Sequence, residues 1–81
     1  MGKTYVAMEK IHHKDDEKKF EVKLVASSPD EGKLLSAMIE KVRSLGMHPE
    51  VTMVNEQWKV SYHEPYDVLV HDIVIEAVNQ I

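Results

Sequence analysis

The same pattern of apolar and polar residues occurs twice in this 81-residue chain. In each half, two strand-like runs precede an amphipathic segment that begins at a proline, Pro29 in the first half and Pro65 in the second. When the two prolines are aligned, apolar positions coincide throughout the amphipathic segments. Because matched burial patterns predict matched packing, the sequence predicts a single domain of residues 1–81, with repeat halves at approximately 4–46 and 49–81.

The first amphipathic segment carries clear helix boundary signals. Ser28 can cap the helix, Pro29 suits the first helical position, and Glu31 completes a capping box. Gly46 can end the helix in the left-handed conformation. These signals predict a helix at about residues 29–45.

The second amphipathic segment predicts a helix from Pro65 to about Gln80, with Asp67 in the first turn, where the helix dipole favours an acid. On a helical wheel most of its apolar residues form one broad arc. Val68 and Ile75 fall together on the opposite side. A helix that is apolar on two faces is typical of one that contacts its own core and also another surface.

Four strands are predicted, at residues 4–12, 20–26, 50–54 and 58–62, where apolar and polar residues alternate or strand-forming residues cluster. The wholly polar run at residues 12–19 predicts an exposed loop between the first two strands.

A tight turn at Asn55 and Glu56 joins the other two strands. The predicted fold is α+β, a two-layer ββαββα sandwich in which two helices cover one face of a four-stranded antiparallel sheet with a pseudo-twofold internal repeat. The strand orders 2-1-3-4 and 1-2-4-3 both satisfy this pattern.

Composition excludes several classes of site. The chain has no cysteine, so disulfides, thiolate nucleophiles and cysteine metal sites are excluded. No apolar run approaches the length of a membrane span, and the N-terminus lacks the apolar segment of a secretory signal. We therefore expect a cytoplasmic protein that makes no contact with membranes.

No motif predicts chemistry. Adjacent His12 and His13 would point to opposite faces of a strand, and the five histidines show no metal-ligand spacing. The three glycines stand alone, so no phosphate-binding loop is predicted. The sequence thus predicts a non-enzymatic protein with no catalytic residue, cofactor or metal ion.

The net charge of −4 arises entirely after Lys59, because residues 1–59 contain equal numbers of acidic and basic side chains. Together with the second apolar face of the C-terminal helix, this acidic end favours a basic or apolar protein partner. The sequence predicts a small regulatory or inhibitor-type protein that binds through the outer face of that helix and forms a homodimer. The predicted partner-binding residues are Asp67, Val68, His71, Asp72, Ile75, Glu76 and Asn79.

The alternative prediction is RNA or single-stranded DNA binding on the open face of the sheet. If Phe20 and Trp58 face the helices, that open face carries Lys23 and Lys59 with at most Tyr5 for base stacking. Because stacking aromatics would be scarce and the chain is acidic, protein binding is the favoured prediction.

Overall fold

The structure is a computed structural model that describes residues 3–63 and 68–79. Those residues form five strands and one helix, in the order β1 (Lys3–His13), β2 (Asp16–Ser28), α1 (Glu31–Ser44), β3 (Glu50–Val54), β4 (Gln57–His63) and β5 (Leu69–Asn79).

The five strands form a single antiparallel sheet in the order β2-β1-β5-β4-β3. Strands β1 and β5 pair along their whole length at the centre, from Lys3 opposite Asn79 to His13 opposite Leu69. The prediction of a four-stranded sheet with two helices is therefore wrong. Neither predicted strand order describes this sheet, and the internal repeat fails because the second half of the chain supplies three strands and no described helix.

The segment predicted as a second helix forms strand β5, and its composition explains why. Half of its residues from position 68 onward are valine or isoleucine, whose branched side chains favour strands over helices. β5 carries apolar residues at both odd and even positions, so both of its faces are apolar. The two apolar faces inferred from the helical wheel are replaced by the two faces of a strand: Ile73 and Ile75 lie on one face and Val70, Val74 and Val78 on the other, while Val68 precedes β5.

The first helix is confirmed, with a different N-cap. The side chain of Asp30, not Ser28, accepts the capping hydrogen bond from the backbone N–H of Lys33 at 3.1 Å. Ser28 ends β2, and its hydroxyl accepts from the N–H of Asp30 at 3.1 Å. Gly46 follows the helix with φ of +79°, the left-handed conformation predicted for it.

Replacing Asp30 with alanine is expected to lower the free energy of unfolding by about 1 kcal/mol, because the N–H of Lys33 loses its partner. For a domain of this size that loss corresponds to a fall of roughly 4–8 °C in melting temperature. Ser28→Ala is the matched control and should have a smaller effect, since its bond precedes the first turn. Thermal unfolding followed by circular dichroism measures both. A larger loss for Ser28→Ala would assign the cap to Ser28.

Both hairpins have tight turns. The predicted long polar loop is wrong, because only Lys14 and Asp15 separate β1 from β2 and the polar residues on either side continue the strands. Between β3 and β4, Asn55 and Glu56 have φ of 52° and 64°. Two consecutive positive φ values are the signature of a type I′ hairpin turn, so the tight turn predicted at these residues is confirmed.

Helix α1 packs across β1, β2, β4 and β5 on one face of the sheet, and the hydrophobic core lies between the helix and that face. The buried apolar side chains of this core are Ala7, Leu34, Met38, Val42, Val60, Tyr62, Ile73 and Ile75. Helix α1 has 14 residues, and nothing helical among residues 3–63 and 68–79 is long and apolar enough to cross a membrane.

Candidate functional site

Helix α1 covers one face of the sheet, and no other described element packs on the opposite face, the open face. Side chains of directly opposed residues in an antiparallel pair point to the same face, so the register assigns each position. Ala7 lies under the helix, and its neighbour Met8 therefore lies on the open face. By this register the apolar residues of the open face are Val6, Met8, Phe20, Val22, Leu24, Val54, Val70, Val74 and Val78.

Three of these residues form an exposed apolar row along β2. Phe20 and Val22 each retain 51% of their accessible surface, and Leu24 retains 63%. The ammonium of Lys10, on the adjacent strand, lies 4.3 Å from the centroid of the Phe20 ring. Exposed apolar side chains are ordinary when scattered, but a contiguous row beside other apolar side chains is typical of a binding surface.

A β-bulge puts the apolar row on the open face. Ala7 pairs with Ala26 while Met8 pairs with Leu24, so Val25 is an extra residue in β2. An extra residue reverses the alternation that follows it. Val25 and Ala26 pack against the core, and the apolar row points the other way.

A polar cluster occupies the middle of the open face. Asp72 of β5 accepts a hydrogen bond from the Ser61 hydroxyl at 2.8 Å. Its other carboxylate oxygen lies 3.3 Å from Nε2 of His12, and the ammonium of Lys59 lies 3.8 Å from the first oxygen. The cluster links β1, β5 and β4 and compensates the charge of Asp72, which is largely buried.

The ring of His12 faces acceptors on both sides. Nδ1 lies 3.1 Å from the carbonyl oxygen of His13, and Nε2 faces the Asp72 carboxylate. Both contacts are hydrogen bonds at the same time only when the imidazole carries both protons.

A second polar cluster lies on the covered face, centred on Glu9. This side chain is 2% exposed, yet it receives a hydrogen bond from Nδ1 of His71 at 2.7 Å and one from the Tyr62 hydroxyl at 3.3 Å. The ammonium groups of Lys41 and Lys23 lie 3.7 and 4.0 Å from its other oxygen. The Tyr62 and His71 rings stack with centroids 4.5 Å apart.

The surroundings of Glu9 keep it ionised. Burial by itself would raise the pKa of this carboxyl, but the hydrogen bond from His71 and the charges of Lys23, Lys41 and His71 outweigh burial and hold the pKa below its usual value of 4.5. The contacts of this enclosed carboxylate link β1 to β2, β4, β5 and α1.

The residues predicted to bind a partner do not share one surface. Ile75 is 2% exposed and belongs to the core, whereas Val68 precedes β5 and is 49% exposed. His71 lies on the covered face, bonded to Glu9.

The remaining predicted residues divide differently. Asp72 and Glu76 are on the open face, the first in the polar cluster and the second exposed. Asn79 ends β5, and Asp67 lies outside the described residues. The described residues that were predicted to share one helix face therefore do not lie on a single face of the sheet.

The residues predicted for nucleic-acid binding are also divided. Lys23 pairs with Glu9 on the covered face, and Tyr5 packs against the core. Lys59 lies on the open face, where it lines a shallow hollow of about 240 Å³ with Lys10 and Asp72. Phe20, expected under a helix, instead presents its aromatic ring on the open face.

Comparison with protein-family models, with curated proteins and with solved structures finds no match to this chain. In residues 3–63 and 68–79, no three histidine or acidic side chains converge in a way that could hold a metal ion.

Proposed function

We propose that this protein is a small, non-enzymatic protein-binding domain, and that the open face of its sheet is the binding surface. The observation that carries the proposal is the apolar row of Phe20, Val22 and Leu24, exposed by half or more on one face of an edge strand. Burying such a row against a partner removes apolar surface from water, at roughly 25 cal/mol per Å².

The chemistry of the open face favours an apolar partner segment with few charges. The charged residues of this face include two bases and three acids, so neither sign strongly dominates: Lys10, Lys59, Glu50, Asp72 and Glu76. Such a surface gives little long-range attraction to a strongly charged partner. We further propose a cytoplasmic location, because a chain without cysteine needs no oxidising compartment.

The proposal predicts that one partner is captured from a cell lysate by the intact protein and lost when the apolar row is made polar. The test variant is Phe20→Ser/Leu24→Ser. The matched control is Val51→Ser/Met53→Ser, which removes exposed apolar side chains from β3, at the other edge and on the covered face. Quantitative mass spectrometry should show the partner reduced at least about tenfold by the first pair, the loss typical of anchor residues. Equal capture by all three proteins would contradict the proposal.

Single-stranded nucleic acid is the second candidate, because Lys10 lies over the Phe20 ring and Lys59 is on the same face. The net charge of −4 opposes binding to phosphates. Treating the lysate with ribonuclease and deoxyribonuclease separates the two candidates. A partner that persists after this treatment and depends on the apolar row supports direct protein binding, whereas one released by the nucleases supports nucleic-acid binding.

A further inference from the structure

Strand β2 is an unprotected edge. It is 13 residues long, pairs with β1 on one side and has no described strand on the other. The opposite edge, β3, has only 5 residues. A long edge strand exposes a row of backbone donors and acceptors that another strand can pair with.

We infer that β2 pairs antiparallel with β2 of a second copy of this chain, about a twofold axis at Val22. This inference rests on the proposed function, since it names a second copy as a partner of the same apolar row. A twofold axis perpendicular to the sheet keeps the faces of the two copies aligned, so the two open faces become one.

The sequence of β2 is self-complementary about Val22. In that register Phe20 of each copy lies opposite Leu24 of the other, and Val22 lies opposite its own equivalent. Glu21 lies opposite Lys23 twice, once on each side of the axis. Cross-strand apolar pairs and opposite charges both stabilise an antiparallel ladder.

Neighbouring registers bring like charges together. An axis at Glu21 places Glu21 opposite its own equivalent and Lys19 opposite Lys23. An axis at Lys23 places two Lys23 side chains opposite one another. Like charges directly opposite each other destabilise strand pairing.

An axis at Phe20 avoids like charges but mismatches the apolar row. It sets Val22 opposite Lys18 and Leu24 opposite Asp16. Only the axis at Val22 places Glu21 opposite Lys23 and also places every residue of the apolar row opposite another residue of that row.

The first test uses the absence of native cysteine, which makes each introduced thiol the only one in the chain. In the inferred dimer the two copies of residue 22 are directly opposite, with Cα atoms about 4.5–5.5 Å apart, within the range that a disulfide spans. Mild oxidation of Val22→Cys should therefore give mostly cross-linked dimer. Phe20→Cys tests the axis at Phe20, and Val51→Cys lies in β3 at the opposite edge. Both variants should cross-link at least tenfold more slowly.

Two results would overturn the inference. One is equal cross-linking at all three positions, which indicates random collision. The other is preferential cross-linking of Phe20→Cys, which assigns a different axis.

The second test reverses charges and follows the dissociation constant by sedimentation equilibrium. Glu21→Lys places lysine opposite Lys23 twice and should weaken association about tenfold or more. Adding Lys23→Glu restores opposite charges and should bring the constant back to within about threefold of the parent. Because Lys23 also contacts Glu9 at 4.0 Å, the melting temperature of each variant is measured in parallel.

A double variant that folds but associates as weakly as Glu21→Lys would overturn the inference, as would a parent protein that stays monomeric at several hundred micromolar. If self-association fails while capture of another protein still depends on the apolar row, the proposed function stands and only the second copy is excluded. If the row makes no difference to capture either, both fail.

Discussion

Replacing Ile75 with aspartate should unfold the protein, with a loss of more than about 4 kcal/mol in the free energy of unfolding. Ile75 is 2% exposed in the central strand of the sheet, where it packs with Ala7 and the residues beneath α1. An aspartate there would bury a charge without a partner, and the isoleucine contacts would be lost as well. Circular dichroism and urea unfolding at neutral pH measure the effect.

Val78→Asp is the matched control for this substitution. Val78 lies on the same strand but on the open face, and nearly half of its surface is exposed. The control should fold with a loss of less than about 1 kcal/mol, since surface substitutions usually have small effects. A folded Ile75→Asp variant with near-parent stability would contradict the buried position of Ile75 in β5.

The N-terminal half of the fold was predictable because its signals are local. Strand-forming residues and period-two alternation predicted most of β1 and the later part of β2, but not residues 16–19, and the residues around Pro29 and Gly46 predicted the helix to within a few residues. The turn at Asn55 and Glu56 also depends on neighbouring residues alone, because both backbone angles are set within the hairpin.

The C-terminal half was not predictable in the same way, because strand β5 is defined by distant partners. It pairs with β1, whose residues lie 56 to 76 positions earlier in the chain, and with β4 on its other side. Apolar residues occur on both faces of β5, which removes the alternation that marks a strand with one polar face, and the remaining apolar pattern also fits a helix. The high content of valine and isoleucine was the signal that favoured a strand.

The position of the apolar row on the open face could not be predicted, because it depends on a single extra residue in β2. Alternation through β2 predicts that Phe20, Val22 and Ala26 share a face, and the extra residue Val25 separates them. A bulge has no strong signature in an isolated sequence, because it depends on the register with the neighbouring strand. Glu21 and Lys23, which alternate with the apolar row, do not indicate which face of the strand helix α1 covers.

The second polar cluster, centred on Glu9, could not be predicted from local sequence patterns either. Its hydrogen-bonding partners Tyr62 and His71 come from β4 and β5, which reach Glu9 only once the sheet has formed. In the sequence Glu9 reads as a solvated acid on a strand, whereas in the fold it is among the most deeply buried side chains.

Glu9→Gln should lower the free energy of unfolding at pH 7 by about 2–3 kcal/mol, because the substitution leaves Lys41 and the His71 ring beside a neutral group. The loss should shrink in acid. The folded-state pKa of Glu9 lies below its usual value of 4.5, so its ionised form stabilises the protein above that value, and this contribution disappears as pH falls through the folded-state pKa.

Urea unfolding of the parent and of Glu9→Gln at pH 7, 5, 4 and 3 tests this dependence. The two proteins should differ most at pH 7 and pH 5, and the difference should shrink below pH 4.5 and vanish as pH falls through the folded-state pKa of Glu9. Glu40→Gln is the control, since Glu40 is an exposed acid on α1 paired only with Arg43 at 3.3 Å in the described structure. Its effect should stay within about 0.5 kcal/mol at every pH, as for other surface ion pairs. A difference between parent and Glu9→Gln that is the same at pH 7 and pH 3 would mean that Glu9 contributes by packing, and that its charge adds nothing to the stability of the sheet.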